Sequence, residues 1–147
     1  MKIRVEIKDR QRKIAINKKA ARALVRRVLK LKGLTKAEVS ILFAGKTYIR
    51  TLNRRFRKID EPTDVLAFSM YEGRENPLHP EVLGDLVICP EIAQKYARSY
   101  GTSLNREIYL YLIHGILHLL GYDDTSAKKR IIMEKEQNRI LKKILKR

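Results

Sequence analysis

His114 and His118 stand four residues apart in the run Leu110-Tyr111-Leu112-Ile113-His114-Gly115-Ile116-Leu117-His118-Leu119-Leu120. On an α-helix, residues at that spacing share a face, one above the other. Two imidazoles so placed can grip one metal ion, with nitrogen–metal distances of about 2.0–2.1 Å for zinc. Two hydrogen-bonded core histidines would show the same spacing. Two features favour the metal. A run this apolar is expected to be buried, and buried imidazoles need polar partners. Gly121 then ends the helix and lets the chain turn back, which returns Tyr122, Asp123 and Asp124 toward the pair. Asp124, six residues past His118, is in reach as a third ligand.

The positions 114, 118 and 124, with Gly at 121, parallel the zinc-peptidase pattern H-E-x-x-H-x-x-G-x-x-H. Two departures argue against that activity. Gly115 occupies the place of the glutamate that serves the peptidase as general base, and Asp124 that of the third histidine.

The elements that must carry these residues follow from periodicity. Lys2 to Lys8 alternates Ile3, Val5 and Ile7 with charge, the pattern of a half-buried strand. Asn17 can cap a helix through Ala20, Leu24, Val28 and Leu31, which stops at Gly33. Val39 to Ala44 reads as a second strand. Thr47 to Phe56 reads as a basic helix with Tyr48, Leu52 and Phe56 as its apolar stripe. Asp64 to Met70 and Val82 to Cys89 read as a third and fourth strand, a hairpin around the turn-rich stretch Glu72–Pro80. Helices are expected over Pro90–Tyr100, Ser103–Leu120 and Ser126–Leu145. The last has Ile131, Ile132, Leu141, Ile144 and Leu145 as its apolar stripe. The expectation is an α+β fold. It has a single mixed sheet of about four strands, covered by about five to six helices, with the metal site on a central helix. At 147 residues, without repeats or a Gly/Ser linker, residues 1–147 read as one domain.

Charge points to the partner. The chain carries 33 Lys/Arg against 16 Asp/Glu, a net +17. Residues 1–60 hold 20 basic and 4 acidic residues, residues 61–124 hold 4 and 10, and residues 125–147 hold 9 and 2. Two basic flanks around an acidic middle attract polyanions, so nucleic acid or ribosome leads the partner classes. A heat-adapted surface rich in Lys and Glu explains charge density but not this surplus. The longest uncharged stretch, Ile108–Tyr122, is short for a bilayer and contains both histidines. The first five residues alternate charge and lack the apolar core of a signal peptide, and Cys89 is the single cysteine. Together these suggest a soluble cytoplasmic protein.

His114-Gly115-Ile116-Leu117-His118-Leu119-Leu120-Gly121-Tyr122-Asp123, followed by Asp124, resembles the H-G-x-L-H-L-x-G-Y-D-H signature of the YbeY family of rRNA maturation endoribonucleases. Two more blocks agree in order. Leu52-Asn53 through Arg57, then Pro62 to Phe68, is similar to that family's L-N-x-x-[YF]-R and T-D-V-L-S-F. Leu83-Gly84-Asp85-Leu86-Val87-Ile88 is similar to its L-G-D-I-x-I. The resemblance implies a metal-dependent, single-strand-specific endoribonuclease acting on RNA, not DNA, in 16S 3′-end maturation and ribosome quality control. It also implies that His114, His118 and Asp124 hold one divalent ion, zinc or alternatively nickel, and that Arg57 is catalytic. Asp124 departs from the family's third histidine. A carboxylate also ligates zinc, but it should leave the ion less electrophilic and must approach more closely.

The residues themselves support this in different degrees. A guanidinium forks onto phosphate oxygens, so Arg57 can steady charge developing on a cleaved phosphodiester, although an ordinary surface arginine among Arg54, Arg55 and Lys58 fits equally. Asp85 can orient a ligand histidine, bind a partner, or cap. Asp64 is expected to tie the Pro62-Thr63 turn to its strand, with Thr63 and Asn53 as turn and cap residues. His79 reads as surface and Cys89 as core. Two alternatives remain: a non-catalytic ribosome-assembly factor with a structural metal, and a metal-dependent hydrolase of another substrate.

Overall fold

Alternation builds the sheet, as a computed structural model describing residues 2–70 and 80–146 shows. Strand β1 (Lys2–Asp9) buries Ile3, Val5 and Ile7 and exposes Lys2, Arg4, Glu6 and Lys8. β2 (Lys36–Phe43) buries Ala37, Val39, Ile41 and Phe43 in the same rhythm. It starts at Lys36, earlier than the hydropathy pattern suggests, because Lys36 already pairs with Lys2 and its charge faces out. β3 (Val65–Ser69) and β4 (Val82–Ile88) complete a sheet of order β1-β2-β4-β3. The first three neighbours are parallel, and β3 runs antiparallel to β4 as the expected hairpin pairing. The tip residues of that hairpin, including His79, lie outside the described residues.

Five helices are present among the described residues: α1 (Lys18–Leu31), α2 (Lys46–Arg57), α3 (Pro90–Tyr100), α4 (Leu104–Leu119) and α5 (Ala127–Leu145). Asn17 caps α1 by accepting from the Ala20 N–H at 3.0 Å, and Ser103 and Ser126 cap α4 and α5 in the same way. The main core lies between one sheet face and α1 and α4, with α5 behind and α3 alongside α4. α4 packs against β3, β4, α1, α3 and α5, which makes it the central helix. Gly115 permits this fit, since a Cβ there would meet the Leu86 side chain of β4 at 2.7 Å. The fold is α+β.

The other sheet face carries α2, over a small second core of Ala44, Ile49, Leu66, Val87 and Cys89, with Ile92 of α3 packed against its edge. Of the expected stripe, Leu52 packs half-buried against this core. α2 buries Ile49 and Asn53, whereas Tyr48 and Phe56 are about half exposed, at 45% and 56%. The second core is too narrow to cover all three turns of the predicted stripe. α5 is likewise met in part: of its expected stripe Leu141 is buried and Ile144 packs against the main core, Met133 and Ile140 join them, and Ile131, Ile132 and Leu145 remain exposed. A helix that packs from one side at the edge of a core hides a single line of residues.

Candidate metal centre

The apolar run of α4 sinks Ile113, Ile116 and Leu117 fully into the core and leaves His114 and His118 half-buried on one face. Their rings meet edge to face, centroids 4.7 Å apart, with the two Nε2 atoms 3.1 Å from each other. α4 ends in a tight reversal. The Gly121 N–H donates to the His118 carbonyl at 3.1 Å and the Tyr122 N–H to the Leu117 carbonyl at 3.0 Å. This closed pair of bonds needs left-handed backbone, which Gly121 supplies at φ +101°. The reversal returns the chain along the helix end, so ligand atoms of His114, His118 and Asp124 all lie within 4.8 Å of one another.

The donor set suits a divalent ion. Four tetrahedral ligands at about 2.0–2.1 Å stand about 3.3 Å from each other, and the Nε2 pair is already near that spacing. Asp124 is exposed and needs a modest approach to complete the triangle. Burial, then the neighbouring His114, pushes the His118 pKa down, against the pull of Asp124. Both leading causes favour the neutral imidazole that ligates metal. Gln137 Oε1 lies 2.8 Å from the His114 Nδ1.

A chain sharing these features has known company. A sequence profile described as "Endoribonuclease YbeY" matches residues 6–145. The chain belongs to the endoribonuclease YbeY family. It is 41% identical over 143 residues to the Endoribonuclease YbeY of Pelotomaculum thermopropionicum, covering 93% of this chain and 94% of that protein. To the YbeY of Geobacter metallireducens it is 34% identical, with 96% and 97% covered. A solution structure of a Thermotoga maritima protein superposes with a TM-score of 0.67 at 27% identity, covering 97% of this chain and 88% of that one. In this YbeY chain the third position of the histidine signature is Asp124.

The remaining sequence candidates fall in different places. Arg57 ends α2 on the outer sheet face, exposed, with no hydrogen bond or ion pair among the described residues. Edge strand β3 separates it from the histidines. Phe68 of β3 meets Phe56 edge to face at 5.2 Å, while Ala67 and Ser69 line a cavity of about 700 Å³ together with His118, Tyr122 and Asp123. Asp85 sits in mid-strand on the exposed face, between Leu86, which contacts α4, and Gly84. It points away from the histidines, so it cannot orient them, and it caps no helix. It lines an outer groove with Glu6, Lys8 and Ser40.

Asp64 does tie its turn to β3: its Oδ1 accepts from the Val65 N–H at 2.7 Å and the Thr63 hydroxyl at 3.2 Å. Asn53 is buried rather than a surface cap. Its Nδ2 donates to the Glu61 carbonyl at 2.9 Å and steadies the loop after Arg57. Cys89 is a buried core thiol.

Sequence reading missed a polar cluster beside the site. Lys32, one residue past α1, is ion-paired with Glu136 of α5, and its ammonium donates to the Tyr122 hydroxyl at 2.7 Å. Arg139 holds the other Glu136 oxygen. The linear separations, 104 residues between Lys32 and Glu136, leave no local pattern to read. One signal existed: Gln137 interrupts the buried line Met133, Ile140, Leu141 with a polar residue.

Proposed function

We propose that this protein is a metal-dependent, single-strand-specific endoribonuclease of rRNA, acting in 16S 3′-end maturation and ribosome quality control in the cytoplasm. The observation that carries the metal is the facing Nε2 pair at 3.1 Å with a carboxylate beside it. His114, His118 and Asp124 would hold one divalent ion, most simply zinc, with nickel as the alternative. When bound, the ion supplies Lewis acidity toward a phosphodiester. The protein does the rest. Asp60 is ion-paired with Arg50 and Arg54, leaving Arg55, Arg57 and Lys58 without an ion pair among the described residues. Arg57 would take phosphate oxygens bidentately and offset the charge that builds as the bond breaks. The basic flanks would hold the RNA backbone, and binding should weaken steeply with salt. No helix among the described residues is long and apolar enough to cross a membrane.

The reading of a ribosome-assembly factor with a structural metal requires a closed ligand shell. Among the described residues the cluster supplies three ligand groups, which leaves a fourth position for substrate or water. The test is cleavage of a purified rRNA-precursor fragment before and after chelation. Cleavage should vanish on chelation, return with one metal, and be lost in His114→Ala with a fall in metal affinity of about 100-fold or more. Tight RNA binding without cleavage under every divalent metal would transfer the case to the assembly factor.

A further inference from the structure

We infer that Gln137, on the C-terminal helix, is a positioning residue that fixes which ring nitrogen His114 offers to the ion; this rests on reading His114 and His118 as metal ligands. A carbonyl oxygen only accepts. With Gln137 Oε1 2.8 Å from the His114 Nδ1, the proton belongs on Nδ1. The Nε2 lone pair is then free, and it faces the His118 Nε2. The other tautomer would place a hydrogen between the two nitrogens, where the ion belongs. The free histidine side chain in water favours the Nε2–H form, so a ligand histidine of this kind needs an acceptor to hold its proton on the far side.

The acceptor is itself held in place. Gln137 occupies the otherwise apolar buried line of α5, between Met133 and Ile140–Leu141, so its amide has a short, enclosed reach toward α4. The preceding residue, Glu136, is bonded by Lys32 from the end of α1 and by Arg139 from its own helix, and accepts from the Tyr122 hydroxyl at 3.4 Å. Those bonds lock the turn of α5 that presents Gln137. They also reach the hydroxyl of Tyr122, on the turn that follows His118. One turn of α5 thus serves His114 directly and braces the turn beside His118. The side chain of Gln137 touches neither the ion nor the substrate position. It acts through His114.

The test measures zinc affinity of the full chain by competition with a chromophoric chelator, alongside thermal midpoints and ¹⁵N imidazole spectra of the metal-free protein. Gln137→Leu should weaken zinc binding about 10- to 100-fold, the range for lost partners of metal-bound histidines. It should also move His114 toward the Nε2–H form. Gln137→Glu, which can only accept, should restore affinity to within a few-fold of wild type; a general packing defect would not be rescued this way. Gln137→Met, close in length, repeats the loss if the leucine variant unfolds. Zinc affinity in the leucine and methionine variants equal to wild type overturns the inference and leaves the ligand reading intact. Weak binding by Gln137→Glu overturns the acceptor role. If wild type and His114→Ala bind zinc alike, the ligand reading falls and takes this inference with it.

Discussion

Helices α4 and α2 pack on opposite faces of one sheet, and each carries residues suited to phosphodiester chemistry under different constraints. α4 is enclosed by the sheet and three other helices, and eight of its residues are buried, from Ile108 to Leu119. Its two histidines have their rings set by packing, by Gln137 and by the turn at Gly121. α2 rests on a second core of five buried residues and buries only Ile49 and Asn53 of its own. Its arginines project into solvent. The difference separates two jobs. A metal needs ligands held in place before it arrives, because reorganising them costs affinity. A cation that meets a flexible phosphate backbone can stay mobile until substrate binds, since exposed charge is cheap to keep solvated.

Changes at the two helices should therefore separate activity from stability. In activity, the largest effect expected is Arg57→Ala, which should lower single-turnover cleavage about 100-fold, in the range for removing one group that stabilises transition-state charge. The unfolding free energy should stay within about 0.5 kcal/mol of wild type, because the residue is an exposed surface cation. A drop in stability matching the loss of rate would place Arg57 in the framework instead.

In stability, the largest effect is expected within a matched pair of truncations read by chemical denaturation. Ile116→Ala, fully buried on α4, should cost about 2–5 kcal/mol by lost burial and cavity formation. Phe56→Ala on α2, 56% exposed, should cost about 1 kcal/mol or less. Equal costs would mean that the second core supports the fold as strongly as the first.

Smaller than the loss at Ile116 is the effect at the clasp between α1, α5 and the site loop. Arg139, with Lys32, holds the Glu136 carboxyl at about 2, below its ordinary 4.5. Because the folded value is depressed, its stabilisation is complete above about pH 4.5 and is lost as pH falls toward 2. Glu136→Gln should cost about 2 kcal/mol at neutral pH, since it also leaves the largely buried Lys32 ammonium without its anion. The difference from wild type should close between pH 5 and pH 2 in stability measured against pH. A gap of constant size across that range would show that the carboxylate's charge contributes nothing.

The helix-borne parts of the site were legible because their causes are local. Spacing four on an apolar helix, a glycine stop and an aspartate six residues on need no knowledge of the rest of the chain, and His114, His118 and Asp124 do meet. The strands were legible for the same reason, since alternation in β1 is a property of neighbouring residues. Sidedness was not. The Tyr48–Leu52–Phe56 line on α2 is as regular as any buried stripe, yet the narrow outer core takes only Leu52 of it, and buries Ile49 and Asn53 instead. Asp85 could be assigned to a strand, but which face it occupied depended on whether Leu86 or its neighbour met α4.

By itself, the sequence determined the element order, the histidine pair, the turn that returns Asp124, and the basic surplus suited to RNA. Each is set by short-range periodicity, by backbone preference or by summed charge. Tertiary structure decided what surrounds them. It brought Gln137 to His114 across 23 residues and Glu136 to Lys32 across 104, and it put Asp85 on the sheet face away from the histidines. Such contacts arise from how helices stack on a sheet, and packing geometry leaves no periodic trace in the chain.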